Sequence, residues 1–194
     1  ASASVQSWAP ALARAVADSF AAAHALPRDG SRTAVRFQGD DDVQTYLDFE
    51  GGPDTVRAVV GGRDHALYTW VVRRFTPGEA RETRVMIAPD GRVLGFERRL
   101  ADSTKRPALA VDSAQRLADV VRAQWLGEGS DTWRLASQSY DTKTGSGRVD
   151  RTFTFERADR QLIAAPVRLV ITIGGDMPTA ARRRAVVPEA FERR

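Results

Sequence analysis

The apolar and polar positions of this chain repeat one arrangement, an amphipathic helix followed by alternating strands, once before about residue 100 and once after. From Pro10 to Leu26, apolar residues including Leu12, Val16 and Phe20 recur at helical spacing until Pro27 ends the run. A short strand over Ala34 to Phe37 follows. Asp40, Asp41 and Asp42 then suit the start of a second helix through Val43, Tyr46 and Leu47, because carboxylates offset the positive end of a helix dipole. Pro53 and Asp54 open a further helical turn to Val60, closed by Gly61 and Gly62. Residues 67–75 are rich in β-branched and aromatic side chains, and Pro77-Gly78 is a turn signal. Arg81, Thr83, Val85 and Ile87 alternate with Glu82, Arg84 and Met86, the period of a half-buried strand. Pro89-Asp90-Gly91 turns the chain into a third strand, Val93 to Leu100.

The second copy begins after a polar stretch, Ala101 to Leu109, that contains Pro107 and reads as a linker. Asp112 and Gln115 have the spacing of a capping box, predicting a helix that runs to Leu126 and stops at Gly127. Trp133, Leu135 and Ser137 begin the second meander, and Thr142 to Gly147 is a polar loop. Next, Val149, Arg151, Phe153 and Phe155 share one strand face. Val167, Leu169, Ile171 and Ile173 alternate with Arg168, Val170 and Thr172, and Gly174-Gly175-Asp176 leads to a last strand through Val187. Pro188 suits the first position of an exit helix. The expected fold is α+β: two tandem helix-plus-antiparallel-sheet units, residues 1–104 with a helical insertion over 40–60, then residues 105–194.

Composition narrows the function classes. An apolar share of 42% over 194 residues supports a folded core and excludes global disorder. A net charge of +4 and a pI near 10.1 raise the question of nucleic acid. Against that, 25 acidic residues balance 29 basic ones, and the basic residues are scattered along the strands rather than clustered. Nearly all of them are arginine, with lysine only at Lys105 and Lys143, which keeps the pI high at small net charge. No nucleic-acid partner is expected. The absence of cysteine excludes disulfides and thiolate chemistry. No apolar run is long enough to span a bilayer. Ala1 to Ser4 and Glu192 to Arg194 read as cut points, so a fragment of a longer protein is expected.

Reactive constellations are scarce. His24 has no second ligand at helical spacing, and His65 lies beside Asp64 in a glycine-bounded loop, so neither histidine predicts a metal site or a general base. Asp40 to Asp42 lack the ligand spacing of a calcium loop. No serine sits in a nucleophile elbow, and the glycine pairs lack phosphate-loop spacing. Neither catalytic residues nor a metal or cofactor is expected here. The more useful lead is an interaction surface: Tyr68, Trp70, Arg73, Arg74 and Phe75 on one strand, with Arg151 and Glu156 from the second sheet, since aromatic and arginine anchors carry binding energy. The competing reading makes Trp70 and Phe75 core residues and the arginines a solvated face.

Several stretches carry a family resemblance. They are Val35-Arg36-Phe37 leading to Tyr46-Leu47, residues 68–75, Arg84 to Val93 with its Pro-Asp-Gly-Arg turn, Asp150 to Arg157, and Val187 to Arg193. Together they resemble the soluble region preceding the membrane core in bacterial CAAX-protease and bacteriocin-processing (CPBP) intramembrane proteases, and the helix-then-strands unit resembles a PepSY-type module. The resemblance implies an extracytoplasmic domain tethered to the inner membrane through segments outside this chain. It further implies a role in regulating or presenting substrate by binding protein or peptide, the parent protein supplying catalysis. The family's Glu-Glu-x-x-x-Arg motif has no counterpart here, and Glu189, Glu192 and Arg193 are spaced differently. Arg182 to Arg184 and Arg193-Arg194 would then lie near anionic lipid headgroups. The alternative is a free-standing PepSY-like binding or peptidase-inhibitor domain.

Overall fold

The computed structural model describes residues 10–61, 65–127 and 132–193; the expected cut points at Ala1 to Ser4 and Arg194, the Gly62 helix stop and Asp64 lie outside them. Helix α1 (Pro10–Ala23) leads into β1 (Arg32–Gly39), α2 (Asp41–Gly61) and the meander β2 (Tyr68–Phe75), β3 (Glu82–Ile87) and β4 (Val93–Arg99). Helix α3 (Val111–Val120), continued by a π-helical turn (Val121–Trp125), precedes β5 (Trp133–Thr142), β6 (Val149–Leu162), β7 (Ala165–Gly174), β8 (Met177–Ala185) and the short α4 (Glu189–Glu192). The fold is α+β: the first unit supplies α1, α2 and β1–β4, the second α3, α4 and β5–β8.

The eight strands form one antiparallel sheet in the order β1-β2-β3-β4-β8-β7-β6-β5. Its two meanders are mirror-ordered, and their last strands pair at the centre, Gly95 with Arg182 and Phe96 with Ala181. Gly95 is needed at this seam because a Cβ there would sit 2.3 Å from the Ala181 carbonyl oxygen.

One face of the sheet carries the core. Ala13, Ala17, Phe20 and Ala21 of α1, with Ala114 and Ala118 of α3 and Val121 of the π turn, pack on Val72, Val85 and Phe96 from one meander and Phe153, Leu169 and Ile171 from the other. Alanines at these positions let the helices lie close to the sheet. The π turn brings Trp125 onto Phe96 at 5.1 Å, joining the units, and His24 lies 4.5 Å from both Phe20 and Trp125. Burial among these rings lowers the His24 pKa.

The insertion is kinked at Gly52, whose φ of 72° breaks the helix before Pro53. Its buried Tyr46 accepts a hydrogen bond from the Ala164 amide at 3.1 Å and meets Phe191 edge-on, so α2 ties the first unit to the second. The linker is pinned by Arg148, which donates to the carbonyls of Ala101 and Thr104 at 2.9 and 3.0 Å and grips Asp150 with two further donors. The capping box does not form: α3 starts at Val111 with Ala110 as its N-cap and no side-chain cap, leaving Asp112 inside the first turn.

Candidate functional site

A strand's period of two sends alternate side chains to opposite faces, and the face away from α1 and α3 carries most of the exposed arginines. One register row runs from Arg36 on β1 through Val71, Met86 and Gly95 to Arg182 on β8. A cavity of about 800 Å³ lies over this row, also lined by Leu94, Arg73, Arg84 and Arg184. Asp40, Asp41 and Asp42 at the start of α2, with His65, complete its lining.

Most of the arginines are already paired. Buried Glu82 receives Arg73 at 2.5 Å and Arg84 at 2.6 Å; Arg182 pairs with Glu97, which Arg84 also approaches at 3.7 Å. Arg36 and Arg184 have no carboxylate partner among the described residues. On the acidic side, His65 Nε2 stands 3.8 Å from Asp40 Oδ2, an ion-pair separation longer than a hydrogen bond. The imidazole holds the Asp40 carboxyl below its ordinary pKa, the Val43 amide adds to this, and partial burial works the other way.

A second feature lies at the far edge of the sheet. Among the described residues strand β5 pairs only with β6, and every residue from Arg134 to Thr142 is exposed. Leu135 and Tyr140 stand open on it, and α3 packs over β6, β7 and β8 instead. The register shift between Leu135 and Ser137 leaves Ala136 as a bulge, one of the devices that blunt a free edge.

The seven residues expected to form one interaction surface are divided between the two faces. Tyr68, Trp70 and Arg74 point to the helical side: Tyr68 donates to Gln44 at 3.0 Å, Trp70 packs against the core, and buried Arg74 pairs with Asp18 of α1. Arg151 is on that side too, donating to the Leu109 carbonyl and lying over the Tyr140 ring. Arg73 and Glu156 are on the opposite face, Arg73 with Glu82 and Glu156 with Arg168 at 2.6 Å. Phe75 lies there as well, beneath the Arg73 guanidinium. Adjacent strand residues cannot share a face, so the Arg73-Arg74 pair could never have formed one anchor. The row from Arg36 to Arg182 escaped the sequence reading because it is assembled from five strands; its only local trace is alternation within each strand.

Among the described residues no group of three or more histidine or acidic side chains is arranged to hold a metal, and no helix is long and apolar enough to cross a membrane. Comparison with protein-family models, with curated proteins and with solved structures finds no match to this chain.

Proposed function

We propose that this chain is a non-catalytic binding module that docks an extended segment of protein or peptide along β5. The observation that carries the reading is the edge itself: a ten-residue strand paired on one side only among the described residues, with every position after the buried Trp133 exposed. Backbone N–H and C=O groups facing outward give affinity to any added strand, and side chains flanking it give selectivity. The histidines favour binding over catalysis, since His24 is held between aromatic rings and Asp40, the acid paired with His65 among the described residues, is engaged with the start of α2.

In the wider setting we propose, on the resemblance described above, an extracytoplasmic domain of a CAAX-type intramembrane protease that holds or presents substrate for a catalytic core elsewhere in the polypeptide. Apolar helices bearing Glu-Glu-x-x-x-Arg in the coding sequence beside this chain support that setting; stop codons on both sides overturn it.

The edge reading is tested with an array of blocked random decapeptides and two proline variants, Gln138→Pro and Ser139→Pro. N–H groups of neighbouring strand residues point opposite ways, so one proline removes an outward donor and the other a bond to β6. The outward variant should keep its stability and lose the array signal. Unchanged binding by that variant rejects the β5 edge as the docking line.

A further inference from the structure

We infer a second binding site, the arginine-walled cavity on the open face, and assign to it an acidic peptide segment whose carboxylates flank an apolar side chain. The floor, Val71, Met86 and Leu94, is apolar, and Gly95 adds no side chain to it. Arg36 and Arg184 line opposite sides, on strands four steps apart in the sheet, roughly 19 Å at strand spacing. They differ from Arg73, Arg84 and Arg182, which share the carboxylates of Glu82 and Glu97, in having no carboxylate partner among the described residues. The three aspartates are offset in turn, Asp40 by His65 and the Val43 amide, Asp41 and Asp42 by the first turn of α2. Two separated cations with an apolar floor between them match acidic side chains roughly six residues apart on an extended chain, at about 3.3 Å per residue.

The same geometry disfavours other anions. A nucleic-acid strand calls for a continuous basic track with aromatic platforms, whereas Asp40, Asp41 and Asp42 interrupt the basic lining here and its one ring is the His65 imidazole.

The test uses the whole chain and fluorescein-labelled blocked peptides carrying a central leucine flanked by glutamates at varied spacing, with lysine- and glutamine-flanked versions and a single-stranded oligonucleotide as controls. Anisotropy at low salt should show glutamate-flanked peptides binding, with Arg36→Gln and Arg184→Gln each weakening them about three- to tenfold and the double variant more. Raising the salt should weaken binding further. The edge-blocking proline in β5 should leave this binding unchanged, so failure at the cavity and failure at the edge are separately visible. Equal binding of the lysine-flanked peptide, tighter binding of the oligonucleotide, or indifference to both arginine substitutions in variants with wild-type unfolding curves would overturn the assignment.

Discussion

The two edges of the sheet, β1 and β5, occupy equivalent places in the duplicated layout and receive different treatment. Strand β1 lies under α1, Val35 on it packs against the core, and its end runs directly into α2. Strand β1 is itself mostly exposed and has no buried residue; β5 is longer, no helix of the described residues packs closely on it, and Trp133 is its one buried residue. The two units share their strand order and differ in their cover. The first carries the α2 insertion, which reaches across to Ala164 and Phe191. A long exposed edge is an aggregation hazard that folds usually blunt, which is why the proposed docking line is placed on β5.

If the units depend on each other as this asymmetry implies, the strongest blow falls on the linker clamp. Arg148→Met removes the side-chain donors of the Thr104 carbonyl and the Asp150 carboxylate and one of the two donors of the Ala101 carbonyl, in a site where Arg148 is 2% exposed. A loss of about 3 kcal/mol or more is expected, since removing one partner of a buried pair strands the other. Urea unfolding followed by tryptophan fluorescence should move as one transition. Two separated transitions would mean that the units are energetically independent.

The seam comes next. Gly95→Ala drives a methyl group toward the Ala181 carbonyl, with the Met86 terminal methyl 2.9 Å away, so about 2–3 kcal/mol should be lost to overpacking. Gly145→Ala is the matched control: its Cβ would meet only ordinary contacts near 3.6 Å, and stability should stay within about 0.5 kcal/mol. Equal effects at the two glycines would contradict the close approach of β4 and β8.

Hydrogen exchange compares the strands directly. Amides of β7, whose Val167, Leu169, Ile171 and Ile173 are buried, should open only with the whole molecule, whereas those of β5 should exchange at least about tenfold faster through local fraying. A bound peptide that slows β5 and leaves β1 unchanged would locate the docking edge.

How much of this could be read beforehand follows from the range of each interaction. The β7 alternation and the Gly51-Gly52-Pro53 break are local, and both appear in the structure where the residues predict them. The opposite facing of Arg73 and Arg74 was equally legible, since period two alone requires it. The seam left a single trace, a glycine inside a strand, which signals a close backbone approach without saying to what. Arg148 left none, because the carbonyls it holds lie 44 and 47 residues away. The cavity is the extreme case: no short segment contains more than a fraction of its wall.

The smallest expected effect concerns the joint between the units, where His24 is held by Phe20 and Trp125. Its pKa in the folded chain lies below the ordinary 6.5, so between the two values the unfolded chain binds more protons and stability rises with pH. Stability is thus at its full value above about pH 6.5, falls as the pH drops toward the lowered folded value, and levels off beneath it. Asp40 has the opposite charge and acts further down: its folded pKa lies below 3.8, so its contribution holds above that pH and is lost as the pH falls through the folded value. His24→Phe keeps a ring between Phe20 and Trp125 and removes the titration, and it should flatten the profile near pH 6 while leaving the acid limb intact. Asp40→Asn should alter only the acid limb. A His24→Phe profile that still slopes near pH 6 would show that another group governs that window, and the aromatic joint would then have no part in the pH response.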